Sequence, residues 1–191
     1  MVLFSIVANQ FGILIYSSQS SIKLLNILLE SQTSFTTFLS SNCDTALIEI
    51  SNFIIKNNTL SNSLGVGLIK IDLCEQSQVK VQNFAVLTNT LNINYIMSFS
   101  GKGGQILFEN TFLFHYNDMK NLKVLLFQSL DSSLIEFQNS FDIWKNKIDG
   151  GDFLYFQTIT VNKRIIFSKN FTCHYNVLIA TISYYPGRKF Y

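Results

Sequence analysis

Three side chains able to bind or react stand at matching places along the chain. His115 lies in Phe112-Leu-Phe-His-Tyr-Asn117, His174 lies in Phe171-Thr-Cys-His-Tyr-Asn176, and Trp144 falls at the same place between them. In strands, alternation turns all three outward, in one column with Lys56 and Leu87. His115 and His174 would then be two rungs, roughly 10 Å, apart, which is too far to share a metal ion. The column His115, Trp144, His174 is therefore a candidate binding strip for a protein or a glycan. The plainer account is a partly covered surface beneath a loop or a neighbouring domain.

Catalysis has less to work with. Polysaccharide cleavage needs converging carboxylates, often with Arg, Lys or calcium. The 12 acidic residues are dispersed, and Arg164 is the only arginine within the repeats described below. Asp149-Gly-Gly-Asp152 reads as a glycine turn with solvated carboxylates rather than a cation site. No Cys-x-x-Cys zinc pattern occurs. The expectation is a protein with no catalytic residues, no metal and no cofactor.

The cysteines and sequons are covalent candidates. Cys43 and Cys74 each precede a repeated asparagine by nine residues. Stacked repeats would bring their Cα atoms to about 5 Å, within disulfide range. The alternative is two small apolar side chains stacked in the core. Cys173 turns inward as a buried thiol. Of the two glycosylation sequons, Asn57-Asn-Thr59 and Asn170-Phe-Thr172, only Asn57 is a credible acceptor, because Asn170 falls at a tight bend.

These positions are matched because the chain repeats. Five segments align as Ile48 to Phe53, Val79 to Phe84, Ile106 to Phe112, Ile135 to Phe141 and Ile166 to Phe171, with a weaker copy at Ile22 to Asn26. Their anchors are Asn26, Asn52, Asn83, Asn110, Asn139 and Asn170, spaced by 26, 31, 27, 29 and 31 residues. Each repeat holds three short segments of period two, joined by turns rich in Asn, Ser and Gly. Three strands in about 30 residues match one coil of a parallel β-helix. One coil cannot bury its inward side chains alone, whereas stacking completes the backbone ladder and closes a dry core.

The stack predicts three inward columns. One begins Ile22, Ile48, Val79, another Leu24, Ile50, Val81, and the third Phe53, Phe84, Phe112. The anchor asparagines would occupy bends, where Asn tolerates left-handed angles, and would hydrogen-bond along the axis. An outward column of Lys23, Glu49, Lys80, Leu107 and Glu136 begins with alternating charge, which cross-strand pairing favours. A β-sandwich would also use many short strands, but it would not return the same residue types to the same place.

Composition bounds the partners. Charged residues make up 14% and hydrophobic ones 48%, with a net charge of +2. This excludes intrinsic disorder and gives no support to nucleic-acid binding, since the basic residues are scattered. Lysine outnumbers arginine twelve to two, which reflects AT-rich coding rather than function. No apolar run reaches the length of a membrane-spanning helix. A membrane tether would lie outside this chain.

The pattern resembles the right-handed parallel β-helix repeats of pectin-lyase-like proteins over roughly residues 20 to 180. Gly103-Gly104-Gln-Ile-Leu-Phe-Glu-Asn110 is similar to repeats of polymorphic outer-membrane and protist surface proteins. The resemblance implies a secreted or surface-exposed domain, extracellular or at the cell surface. It also admits a polysaccharide lyase or hydrolase, or a fragment of one, since a fold does not confer activity. The reading is thus an all-β, right-handed parallel β-helix of about six coils, complete or part of a longer array. Residues 1–21 form an irregular first coil or a signal peptide, 22–182 the β-helix, and 183–191 a tail or continuation. Its expected role is structural, adhesive or binding.

Overall fold

The computed structural model describes residues 21–31, 33, 37–41, 47–61, 67–131, 133–138, 140–157, 164–167, 171–174 and 177–179. All regular structure among them is β. The chain enters through β1 (Ser21–Glu30) and β2 (Leu39–Ser41). Four complete turns follow: β3 (Leu47–Lys56), β4 (Thr59–Ser61) and β5 (Ile69–Leu73); β6 (Gln78–Leu87), β7 (Thr90–Asn92) and β8 (Tyr95–Lys102); β9 (Gln105–His115), β10 (Asp118–Lys120) and β11 (Lys123–Asp131); then β12 (Leu134–Phe137) with β13 (Ser140–Trp144), β14 (Lys147–Asp149) and β15 (Asp152–Gln157). A further partial turn holds β16 (Arg164–Phe167), β17 (Phe171–His174) and β18 (Val177–Ile179). Against about six expected coils, four are complete among the described residues and one partial coil flanks them at each end.

Every strand pairs in parallel with its copy one coil away. The strands form three sheets: a long face built on β1-β3-β6-β9-β12-β16 with β13 and β17 beside it, a second face β4-β7-β10-β14-β18, and a third β2-β5-β8-β11-β15. The register follows the sequence columns, with Ile22 beside Ile48, Ile48 beside Val79, Val79 beside Ile106 and Ile106 beside Ile135. In the last coil Ile165 takes that column and Ile166 moves to the outward one, because Phe167 pairs with Phe137. The outward Lys23–Glu49 pair forms at 2.9 Å.

Phenylalanine fills the interior. Phe53, Phe84 and Phe112 stack with centroids 5.5 and 5.2 Å apart, while Phe99, Phe127 and Phe156 form a second column at 5.3 and 4.8 Å. Phe108 joins the two, edge-on to both Phe99 and Phe112. Each ring contributes on the order of 2–3 kcal/mol through burial alone.

Residues with positive φ turn the coil. Asn26, Asn52, Asn83 and Asn110 bend the long face with φ of 56, 53, 50 and 66°. On the outside of that bend, Asn52 Nδ2 donates to Asn26 Oδ1 at 2.8 Å and Asn83 Nδ2 to Asn52 Oδ1 at 2.9 Å. At Asn110 the ladder changes partner: two residues, Asn110 and Thr111, oppose Asn83, and the Thr111 hydroxyl donates to Asn83 Oδ1 at 3.4 Å. Asn139 and Asn170 lie outside the described residues. Elsewhere Gly101, with φ of 117°, lets two coils close, since a Cβ there would stand 2.2 Å from the Leu73 carbonyl oxygen.

Candidate binding corner

The corner between the first and second faces positions the site. Asn57, Thr88, Tyr116 and Lys145 occupy the same place in successive coils, with φ of 55, 54, 57 and 50°. A left-handed residue costs a non-glycine side chain about 1 kcal/mol. The compensation follows immediately in Asn58, Asn89, Asn117 and Asn146, each at most 2% exposed. Asn89 Nδ2 donates to the Ile55 carbonyl at 2.9 Å and to Asn117 Oδ1 at 2.9 Å, and Asn117 repeats this with the Val86 carbonyl and Asn146 Oδ1 at 2.8 Å each. Each Oδ1 also takes a backbone N–H from the coil before: Asn58 to Asn89 at 2.9 Å, Asn89 to Asn117 at 3.0 Å and Asn117 to Asn146 at 3.0 Å. A buried amide ladder thus satisfies the peptide groups that the turn leaves over.

That ladder holds an aromatic corner above it. Trp144 pairs in register with His115 on one side and His174 on the other, so the expected column exists in the backbone. The His174 side chain lies outside the described residues. His115 and Trp144 are half-buried, and their rings meet edge-on at 5.8 Å. His115 Nε2 is buried 3.1 Å from Asp142 Oδ2 without the alignment of a hydrogen bond.

The most exposed member is one that alternation alone does not single out. Tyr116, at 48%, is the exposed large apolar side chain among the described residues. Its ring stands 5.0 Å from that of Trp144 at an interplanar angle of 70°. Lys145 Nζ lies 4.6 Å from the Trp144 centroid and 5.6 Å from that of Tyr116. The signal for both residues was present in the sequence: each immediately precedes a recurrent asparagine. Lys147 and Asp118 complete the neighbourhood at 3.5 Å.

The other candidates fall elsewhere. Asn57 is exposed, its Nδ2 donates to Glu30 Oε1 at 3.2 Å, and its Oδ1 accepts the Thr88 hydroxyl. Cys74 is disulfide-bonded. Cys43, the partner expected from the repeat, lies outside the described residues. Where the third face meets the first, a cleft of about 600 Å³ is lined by Glu75, Gln78, Lys102, Gly103, Gly104 and Gln105, among others. Its charged pair, Glu75 and Lys102, spans 3.7 Å on exposed side chains, and Gln78 donates to Gln105 across it at 3.3 Å. One carboxylate lines it. Among the described residues no three His, Cys, Asp or Glu side chains gather as metal ligands, and no helix is long and apolar enough to cross a membrane.

The fold and site define a parallel β-solenoid with a buried asparagine ladder and an aromatic corner. No protein-family model matches the chain, and neither a curated protein nor a solved structure matches it. The resemblance to pectin-lyase-like repeats gains no support from these comparisons.

Proposed function

We propose that this chain is a non-enzymatic binding module of a secreted or surface-exposed protein, and that it engages a partner through the corner of Tyr116, Trp144 and Lys145. The observation that carries this reading is the exposed Tyr116 ring packed on Trp144, on a chain whose other described large apolar side chains are covered at least in part. Aromatic side chains on rigid elements supply contact area at low entropic cost. The disulfide at Cys74 supports an oxidising compartment.

The test is an array of peptides and glycans probed with the folded chain and with a Tyr116→Ala, Trp144→Ala double variant. Binding by the wild type that the double variant loses supports the module; binding retained by the variant removes the corner from it. The rival reading, a carbohydrate-active enzyme, rests on the cleft around Glu75 and Lys102. Turnover of polygalacturonate by the purified chain, abolished by Glu75→Gln, would replace the binding module with that enzyme.

A further inference from the structure

We infer that the corner recognises a guanidinium group, an arginine side chain of a protein partner, and that Lys145 is a built-in competitor occupying its place. This rests on the binding module proposed above. The two rings stand 5.0 Å apart and steeply inclined, forming two walls of a partial cage. What lies against both walls is an ammonium, Lys145 Nζ at 4.6 and 5.6 Å from the two centroids. A cation is the group that the negative faces of two aromatic rings attract. Lys145 reaches them from a corner residue at φ 50°, beside Trp144 in sequence.

Carboxylates stand nearby on two elements. Asp142 precedes Trp144 by two residues on the same strand, so both side chains leave one face of β13. Asp118 opens the next face and holds Lys147 at 3.5 Å. His115 packs edge-on to Trp144 and faces Asp142, while Lys120, further along β10, pairs in register with Asp149. Asp142 already faces His115 Nε2 at 3.1 Å and Asp118 faces Lys147, so displacing Lys145 into solvent leaves two ring faces open to a cation. Guanidinium suits them better than ammonium does. It is planar, more weakly hydrated and stacks on indole.

The chain contains one tryptophan, so its fluorescence reports on this corner directly. The intact chain is titrated with N-acetyl-arginine amide and, separately, with benzenesulfonate as an aromatic anion, with N-acetyltryptophan amide as the collisional control. A saturable change is expected with the arginine amide in the millimolar range. Lys145→Ala should tighten that binding about two- to five-fold, the effect of removing one exposed cation–π contact. Tyr116→Ala should weaken it, with an unchanged far-UV circular dichroism spectrum confirming the fold of each variant. Saturation by the anion alone, weakened in Lys145→Ala, overturns the inference while leaving the binding module in place. Saturation by neither probe, together with array binding that survives loss of both rings, overturns both.

Discussion

Asn117 and Asn146 are joined twice: the Asn117 backbone N–H and its side-chain Nδ2 both donate to Asn146 Oδ1, at 3.0 and 2.8 Å. Asn117 Oδ1 receives the same pair of donors from Asn89. The ladder is buried, and losing the Asn117 side chain would leave two Asn89 donors and the Val86 carbonyl without this partner on one side and take one donor from Asn146 Oδ1 on the other.

Asn117→Ala should therefore destabilise the chain by about 2–4 kcal/mol, the cost of leaving several buried polar groups without partners. Asn52→Gly, at the exposed bend, should cost only a few tenths of that range, since glycine adopts φ near 53° freely. Urea unfolding midpoints of the two variants measure the contrast. Equal losses would mean that the buried ladder contributes no more than the outer one.

Cys74 is disulfide-bonded, and its spacing from Asn83, matched by that of Cys43 from Asn52, predicts Cys43 as its partner. Peptide mapping without reduction should recover a peptide joining Cys43 to Cys74. Cys74→Ser should lower stability by about 2–4 kcal/mol, in keeping with closure of a loop of about 30 residues. A recovered link between Cys74 and Cys173 instead would contradict the stacking order of the coils.

Tyr95 gives a pH dependence. Burial raises its phenol above the ordinary value of 10.0, partly offset by the Lys70 ammonium and a backbone hydrogen bond at Gly67, with Asp72 adding to the rise. The folded chain holds this proton more tightly than the unfolded one. Its contribution is complete below pH 10 and is lost as pH climbs toward the raised folded value. Denaturation midpoints should fall with pH above about 10, and Tyr95→Phe should make that fall shallower. An identical slope in the variant would remove Tyr95 as a cause.

Much of the architecture was legible because stacking makes each repeat restate the others. Columns such as Ile48, Val79 and Ile106 could be aligned from residue type alone, and the bends at Asn52 and Asn83 follow from a side chain that tolerates left-handed angles better than most. The corner was less legible. Strict alternation from Lys56 would turn Asn57 inward and Asn58 outward, whereas Asn57 is exposed and Asn58 buried. One residue in the left-handed region resets the alternation, so every inference carried past it changes face. Tyr116 and Lys145 sit at such positions, one residue beyond His115 and Trp144, so alternation does not mark them.

The sequence by itself determined that the chain coils, where its coils align, and which apolar residues share a column, because a period-two pattern repeated every 30 residues or so has one economical way to bury itself. Tertiary structure alone decided which asparagines lie inside, how four complete turns are closed by their amides, and that the rings of Tyr116 and Trp144 meet around Lys145. Those outcomes depend on backbone handedness at single residues and on contacts across coils, and neither is written in residue type alone.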